Sequence, residues 1–183
     1  MTVLFEIWCG GGDAPRGLER IVAWQGLADG LALASDFDGD GYLDLIVSTW
    51  DPAGQIRLFR NNQDGTFRDR TKEAGLVGIY GGLNLVQADY NNDGFPDFLA
   101  LRGAWLRQAG SHPNSLIRNN GDGTFTDVTF AAGLGKVHYP TQTASWADYD
   151  NDGDLDLYIG NLGQDRLLRN DGGGVFTDIT EAS

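Results

Sequence analysis

The chain has 183 residues, of which 41% are hydrophobic, with five Trp, six Tyr and nine Phe; this is enough apolar material for a packed core and argues against disorder. Thirteen Lys and Arg against 26 Asp and Glu leave a formal charge of −13, which argues against a nucleic-acid partner on electrostatic grounds. Cys9 is the only cysteine, so no intramolecular disulfide can staple the fold, and no apolar run is long enough to span a membrane.

Along residues 1–30, Leu4-Phe5-Glu6-Ile7-Trp8 and Ile21-Val22-Ala23-Trp24 are strand candidates of a degenerate partial blade or cap. No acidic loop accompanies them. The segment Val3 to Trp8 is too short for a signal peptide, is broken by Glu6 and has no basic residue before it.

From residue 31 onward the chain repeats itself. In the first unit (about 31–84), the apolar stretch Leu31–Ala34 precedes the acidic loop Asp36-Phe37-Asp38-Gly39-Asp40-Gly41-Tyr42-Leu43-Asp44. Leu45-Ile46-Val47 follows as a second strand and Arg57–Asn62 as a third. The turn Asn62-Gln63-Asp64-Gly65 leads into a fourth, Thr66–Asp69.

The second unit (about 85–143) has the same order: Leu85–Ala88, the loop Asp89-Tyr90-Asn91-Asn92-Asp93-Gly94-Phe95-Pro96-Asp97, then Phe98–Ala100, Ser115–Asn120 and Thr124–Thr129. Its second and third strands are joined by a longer insertion, Arg102–Pro113, carrying Trp105, Arg107 and His112. The third unit (about 144–183) runs through Ala144–Ala147, the loop Asp148-Tyr149-Asp150-Asn151-Asp152-Gly153-Asp154-Leu155-Asp156, then Leu157–Ile159, Arg166–Asp171 and Val175–Thr180. Linkers carry a further repeated phrase, Lys72-Glu73-Ala74-Gly75-Leu76 and Phe130-Ala131-Ala132-Gly133-Leu134.

Loop starts at residues 36, 89 and 148 set repeats of 53 and 59 residues, the length of a supersecondary unit. Four short antiparallel strands per unit of this size predict an all-β protein of about three β-propeller blades, a partial or open propeller.

Each loop offers side-chain oxygens at positions 1, 3, 5 and 9: Asp36, Asp38, Asp40 and Asp44; Asp89, Asn91, Asp93 and Asp97; Asp148, Asp150, Asp152 and Asp156. A hard dication takes six to eight oxygens at about 2.3–2.6 Å, which only a wrapping loop supplies. Gly at position 6 permits the turn that brings in the position-7 carbonyl, of Tyr42, Phe95 or Asp154. About three Ca²⁺ sites are therefore expected, the middle one weaker because Asn91 removes a charge. A solvated turn accounts for one such Asp/Asn/Gly cluster, but three in register point to cation loops. An EF-hand needs Glu at position 12 and flanking helices; here that position is Val47, Ala100 or Ile159 within strand-like sequence.

The phrases Ala147–Tyr158 and Arg118–Thr129 resemble the FG-GAP/VCBS-type repeats, most nearly those of cartilage acidic protein and its bacterial relatives. The resemblance covers roughly residues 31–183 and implies calcium-loaded propeller blades in an extracellular or periplasmic setting. The Phe-Gly and Gly-Ala-Pro signatures of integrin repeats are absent, so integrin-like ligand recognition is not implied.

The expected role is a non-catalytic binding or adhesion scaffold for a protein or carbohydrate ligand, with further repeats or self-association covering the outer blade faces. The insertion bearing Trp105 is the candidate contact. The competing reading, part of a secreted hydrolase or lyase, rests on His112 and His138-Tyr139 as acid/base groups with no nucleophile motif beside them.

Overall fold

The computed structural model describes residues 30–49, 51 and 53–181, so the strand candidates before residue 30, and Cys9, lie outside the described residues. Among the described residues, twelve strands form three four-stranded antiparallel sheets, each in the simple order first to fourth. The first blade is β1 (Gly30–Ser35), β2 (Asp44–Thr49), β3 (Arg57–Asn61) and β4 (Phe67–Asp69). The second is β5 (Asn84–Ala88), β6 (Asp97–Leu101), β7 (Ser115–Asn119) and β8 (Phe125–Asp127). The third is β9 (Thr141–Ala147), β10 (Asp156–Asn161), β11 (Arg166–Asn170) and β12 (Phe176–Asp178). The expected strand plan is thus what forms, with the acidic loop between first and second strands and a tight turn between third and fourth.

The second strands of blades one and two are buried on both faces. In β6 every residue is buried, and alternation splits it: Phe98 and Ala100 join Ile46, Leu58 and Phe125 in the core between blades one and two. Leu99 and Leu101 join Leu157, Ile159 and Phe176 between blades two and three. Each such side chain contributes about 1.5–3 kcal/mol relative to exposure, so the two interfaces hold the stack together. The position of Ile46 and Leu99, fully buried in blades one and two, is taken in blade three by Tyr158, which is 44% exposed.

Linkers add backbone ties. Ala74 O accepts the N–H of Phe125, and Ala132 O that of Phe176, both at 2.9 Å, so each linker holds the fourth strand of the following blade. The glycines in the repeated linker phrase are required there. Gly75 and Gly133 have φ of +76° and +83°, and a Cβ would lie 3.1 and 2.9 Å from the carbonyl oxygens of Phe125 and Phe176. The Arg102–Pro113 insertion contains 3-10 turns over Ala104–Gly110 that join at Arg107, whose φ is +52°.

Candidate metal centres

All three acidic loops fold alike, because the carboxylates that would face a cation also organise the backbone. Asp36 accepts the N–H groups of Asp40 (3.1 Å) and Gly41 (2.9 Å). Asp89 accepts those of Asp93 (3.0 Å) and Gly94 (2.8 Å), and Asp148 those of Asp152 (3.1 Å) and Gly153 (3.1 Å). At position 5, Asp40, Asp93 and Asp152 accept the N–H of Tyr42, Phe95 and Asp154 at 2.9, 3.0 and 2.9 Å. Gly41, Gly94 and Gly153 turn with φ of +87°, +89° and +96°, and position 4 is also left-handed, as Gly39, Asn92 or Asn151.

This winding places carboxylate oxygens together. One from each of Asp36, Asp38 and Asp40 lies within 4.8 Å of the others, and the same holds for Asp148, Asp150 and Asp152. Such all-oxygen, mainly anionic sets suit a hard dication such as calcium. The middle loop differs: Asn91 Nδ2 donates to the Asp93 carboxylate at 2.8 Å while its Oδ1 accepts the Asp93 N–H at 3.3 Å, so position 3 brings no negative charge. In the first loop Arg60 brings its own positive charge, 2.5 Å from Asp38 and 3.4 Å from Asp40. Burial raises the Asp40 carboxyl, but the Tyr42 N–H, Gln63 and Arg60 together hold it below the ordinary value.

The position-9 aspartates do more than face a cation. Asp44, Asp97 and Asp156 are buried, and each accepts the backbone N–H of the Asn ending the third strand: Asn61 (2.8 Å), Asn119 (2.7 Å) and Asn170 (2.9 Å). Asp156 also accepts the Tyr149 N–H at 3.0 Å. Burial is the main cause that pushes Asp97 up to about 7, with the charges of Asp93 and Asp89 adding to it; burial likewise takes Asp44 to about 6.

Those asparagines were not singled out as functional from sequence, although the phrases Arg60-Asn61, Arg118-Asn119 and Arg169-Asn170 repeat. Their side chains join three parts of the fold. Oδ1 accepts from the hairpin turn, at Gln63, Gly121 and Gly172. Nδ2 donates within the blade's own loop, to Leu43, Pro96 or Leu155. In blades two and three it also reaches the preceding blade's loop, at Phe37 O (2.7 Å) and Tyr90 O (3.1 Å). The side chains of those loop aromatics pack on the following blade too: Phe37 lies edge-on to Phe125 at 5.8 Å, and Tyr90 stacks on Trp146 at 6.0 Å.

Of the acid/base candidates, His112 is exposed beside a cavity formed by the insertion, and His138 lies half-buried in the linker before β9. No described helix is long and apolar enough to cross a membrane.

The FG-GAP-like repeat family matches residues 36–100, 104–159 and 148–183. Cartilage acidic protein 1 of Xenopus tropicalis is 30% identical over 151 residues, 81% of this chain and 21% of that protein. The Homo sapiens protein of the same name is 41% identical over 49 residues, 27% of this chain and 7% of its own length. The chain therefore spans about a fifth of the Xenopus relative. A solved structure described as a lectin of Agrocybe aegerita that recognises non-reducing terminal N-acetylglucosamine has 21% identity and a TM-score of 0.45, over 81% of this chain and 37% of that one. That likeness is too low to argue from. With three four-stranded blades, each carrying an acidic loop between its first two strands, and matches spread over most of its length, the chain belongs to the FG-GAP-like repeat family.

Proposed function

We propose that the protein is a calcium-stabilised, non-catalytic binding module that works in an extracellular or periplasmic setting, where its protruding loops contact a protein or carbohydrate ligand. The observation that carries the calcium reading is the gathering of three carboxylate oxygens within 4.8 Å in the first and third loops. Like charges so close repel unless a cation or proton joins them. Calcium fills the loops through Asp36, Asp38, Asp40 and Asp44; Asp89, Asn91, Asp93 and Asp97; and Asp148, Asp150, Asp152 and Asp156, with the Tyr42, Phe95 and Asp154 carbonyls completing each set.

A loop so filled stiffens the turn between first and second strands. Through Asn119 and Asn170 it also stiffens the contact with the neighbouring blade. Extracellular calcium of about 1 mM fills modules with dissociation constants of about 10⁻⁴–10⁻³ M from about half to about nine-tenths, each site contributing ~0.4–1.4 kcal/mol.

Calcium titration by calorimetry, paired with melting in calcium and in chelator, tests the reading. Binding of two to three ions with a rise in melting temperature, reduced by Asp148→Ala, is expected. Absence of both binding and shift refutes it.

A further inference from the structure

The three blades differ at one ion pair. In blade one, Arg57 at the start of β3 pairs with Asp69 at the end of β4 (3.4 Å); in blade three, Arg166 at the start of β11 pairs with Asp178 at the end of β12 (2.9 Å). The corresponding residues of blade two are Ser115 and Asp127. Ser115 is too short to reach across. Asp127 keeps the same local cap, one oxygen accepting the N–H (3.0 Å) and hydroxyl (2.5 Å) of Thr129. Among the described residues it forms no ion pair.

A half-open cavity of about 320 Å³ lies beside this pair, lined by Tyr80, Arg102, Trp105, His112, Ser115 and Asp127 among others. Blade three keeps a cavity at the same place, lined by Tyr139, Arg166 and Asp178, so what sets the blade-two cavity apart is the Trp105 insertion on its wall and a carboxylate that no described arginine pairs with. Its walls are fixed. Arg102 spends four donor contacts on structure: to Gly81 O (3.0 Å), Pro113 O (2.6 Å), Ser115 Oγ (2.8 Å) and Tyr80 O. This ties the linker before blade two to the Trp105 insertion, so a surface loop becomes a preorganised rim. The volume is at the small end of ligand pockets, about 300–1,000 Å³.

We propose that this cavity binds a saccharide ring. The Asp127 carboxylate and the Arg102 guanidinium give opposite charges that act on one another, which leaves the cavity near neutral and disfavours a lone ion. Hydroxyl groups suit such a lining, since they donate to a carboxylate and accept from a guanidinium. The Tyr80 and Trp105 rings supply the apolar faces against which the C–H side of a pyranose packs, with rigid side chains that cost little to order. This deepens, and rests on, the reading of the protein as a binding scaffold.

The test is a glycan array of immobilised neutral and acidic saccharides, probed with the labelled full chain in calcium. Any glycan bound is then titrated by calorimetry. Ser115→Arg places an arginine beside Asp127, as in blades one and three, and so engages the carboxylate that would face the ligand, and Trp105→Ala removes a platform. Each is expected to weaken binding at least tenfold with blades still folded by circular dichroism. Asp127→Asn keeps the Thr129 cap and is expected to weaken it as well.

Failure to bind any glycan overturns the inference. So does binding that stays within twofold in both Ser115→Arg and Trp105→Ala. The calcium-dependent melting shift, measured on the same samples, separates the two failures. A normal shift without glycan binding sinks only the saccharide site, whereas a missing shift sinks the calcium reading.

Discussion

The side-chain amide of Asn170 in blade three donates 3.1 Å to the carbonyl of Tyr90, inside the acidic loop of blade two. Asn119 makes the same reach from blade two to Phe37 in blade one, at 2.7 Å, while both are fully buried. One asparagine per blade therefore holds its own loop, its own hairpin turn and, in these two blades, the loop next door.

Replacing Asn119 or Asn170 with Ala leaves buried carbonyl and N–H groups unpaired at once, and a loss of about 1–3 kcal/mol is expected. Asn61→Ala is expected to cost less, because among the described residues its amide donates only within its own loop, to Leu43 O at 3.1 Å. Urea denaturation of the three variants checks the order.

Asp97 and Asp44, pushed up to about 7 and about 6 chiefly by burial, give the cation-free protein a characteristic pH response. A carboxyl with a folded pKa above its unfolded value contributes stability that is full below about 4 and is lost as pH rises through about 7. Melting in chelator should therefore fall between pH 5 and pH 8. If calcium fills the loops as proposed, it displaces those protons and should help most at the high end. Asp97→Asn flattens the chelator profile while keeping an acceptor for the Asn119 N–H.

Arg60 lies against Asp38 and Asp40 where a dication would add its charge. Removing that charge by Arg60→Gln should tighten calcium binding at the first loop several-fold, an effect on the order of 1 kcal/mol for a half-exposed pair. Calorimetry with the other two loops disabled by Asp89→Ala and Asp148→Ala isolates the change.

Gly75→Ala and Gly133→Ala each add a Cβ about 3 Å from a carbonyl of the next blade, at positive φ. A cost of about 1–3 kcal/mol per site is expected from thermal unfolding, against near-neutral Gly65→Asn in an open turn.

Leu99 and Tyr158 occupy the same place in successive blades, yet one is fully buried and the other 44% exposed. Leu99→Ala should cost about 2–5 kcal/mol, and Tyr158→Ala no more than about 1. Chemical denaturation of the pair measures the weight of a blade-to-blade contact.

Much of this architecture was legible because it is local. The short apolar runs Leu45–Val47 and Phe98–Ala100, the Asn/Asp/Gly turns and the odd-numbered oxygens of each loop are all set within a dozen residues. What escaped was what joins distant residues. The bond from Asn119 to Phe37 spans 82 positions, and nothing in a local phrase says where its amide points. The position-9 aspartates were legible as oxygen donors, but their burial depends on the β3-type strand folding back over them. Ser115 in place of arginine could have been seen by aligning Arg57, Ser115 and Arg166, but its meaning depends on the cavity. The 3-10 turns of Ala104–Gly110 carry no periodic signal.

The asparagine ties also bear on how the molecule would yield to force. Blades that met only through oily faces could slide or swing past each other, since apolar contact has no preferred direction. Here a buried hydrogen bond runs from one sheet into the acidic coil of another, so a swinging blade must drag that coil with it. Tightening any one coil thus removes slack from the joint beside it, and the row of sheets behaves as a ratcheted strip rather than a loose deck.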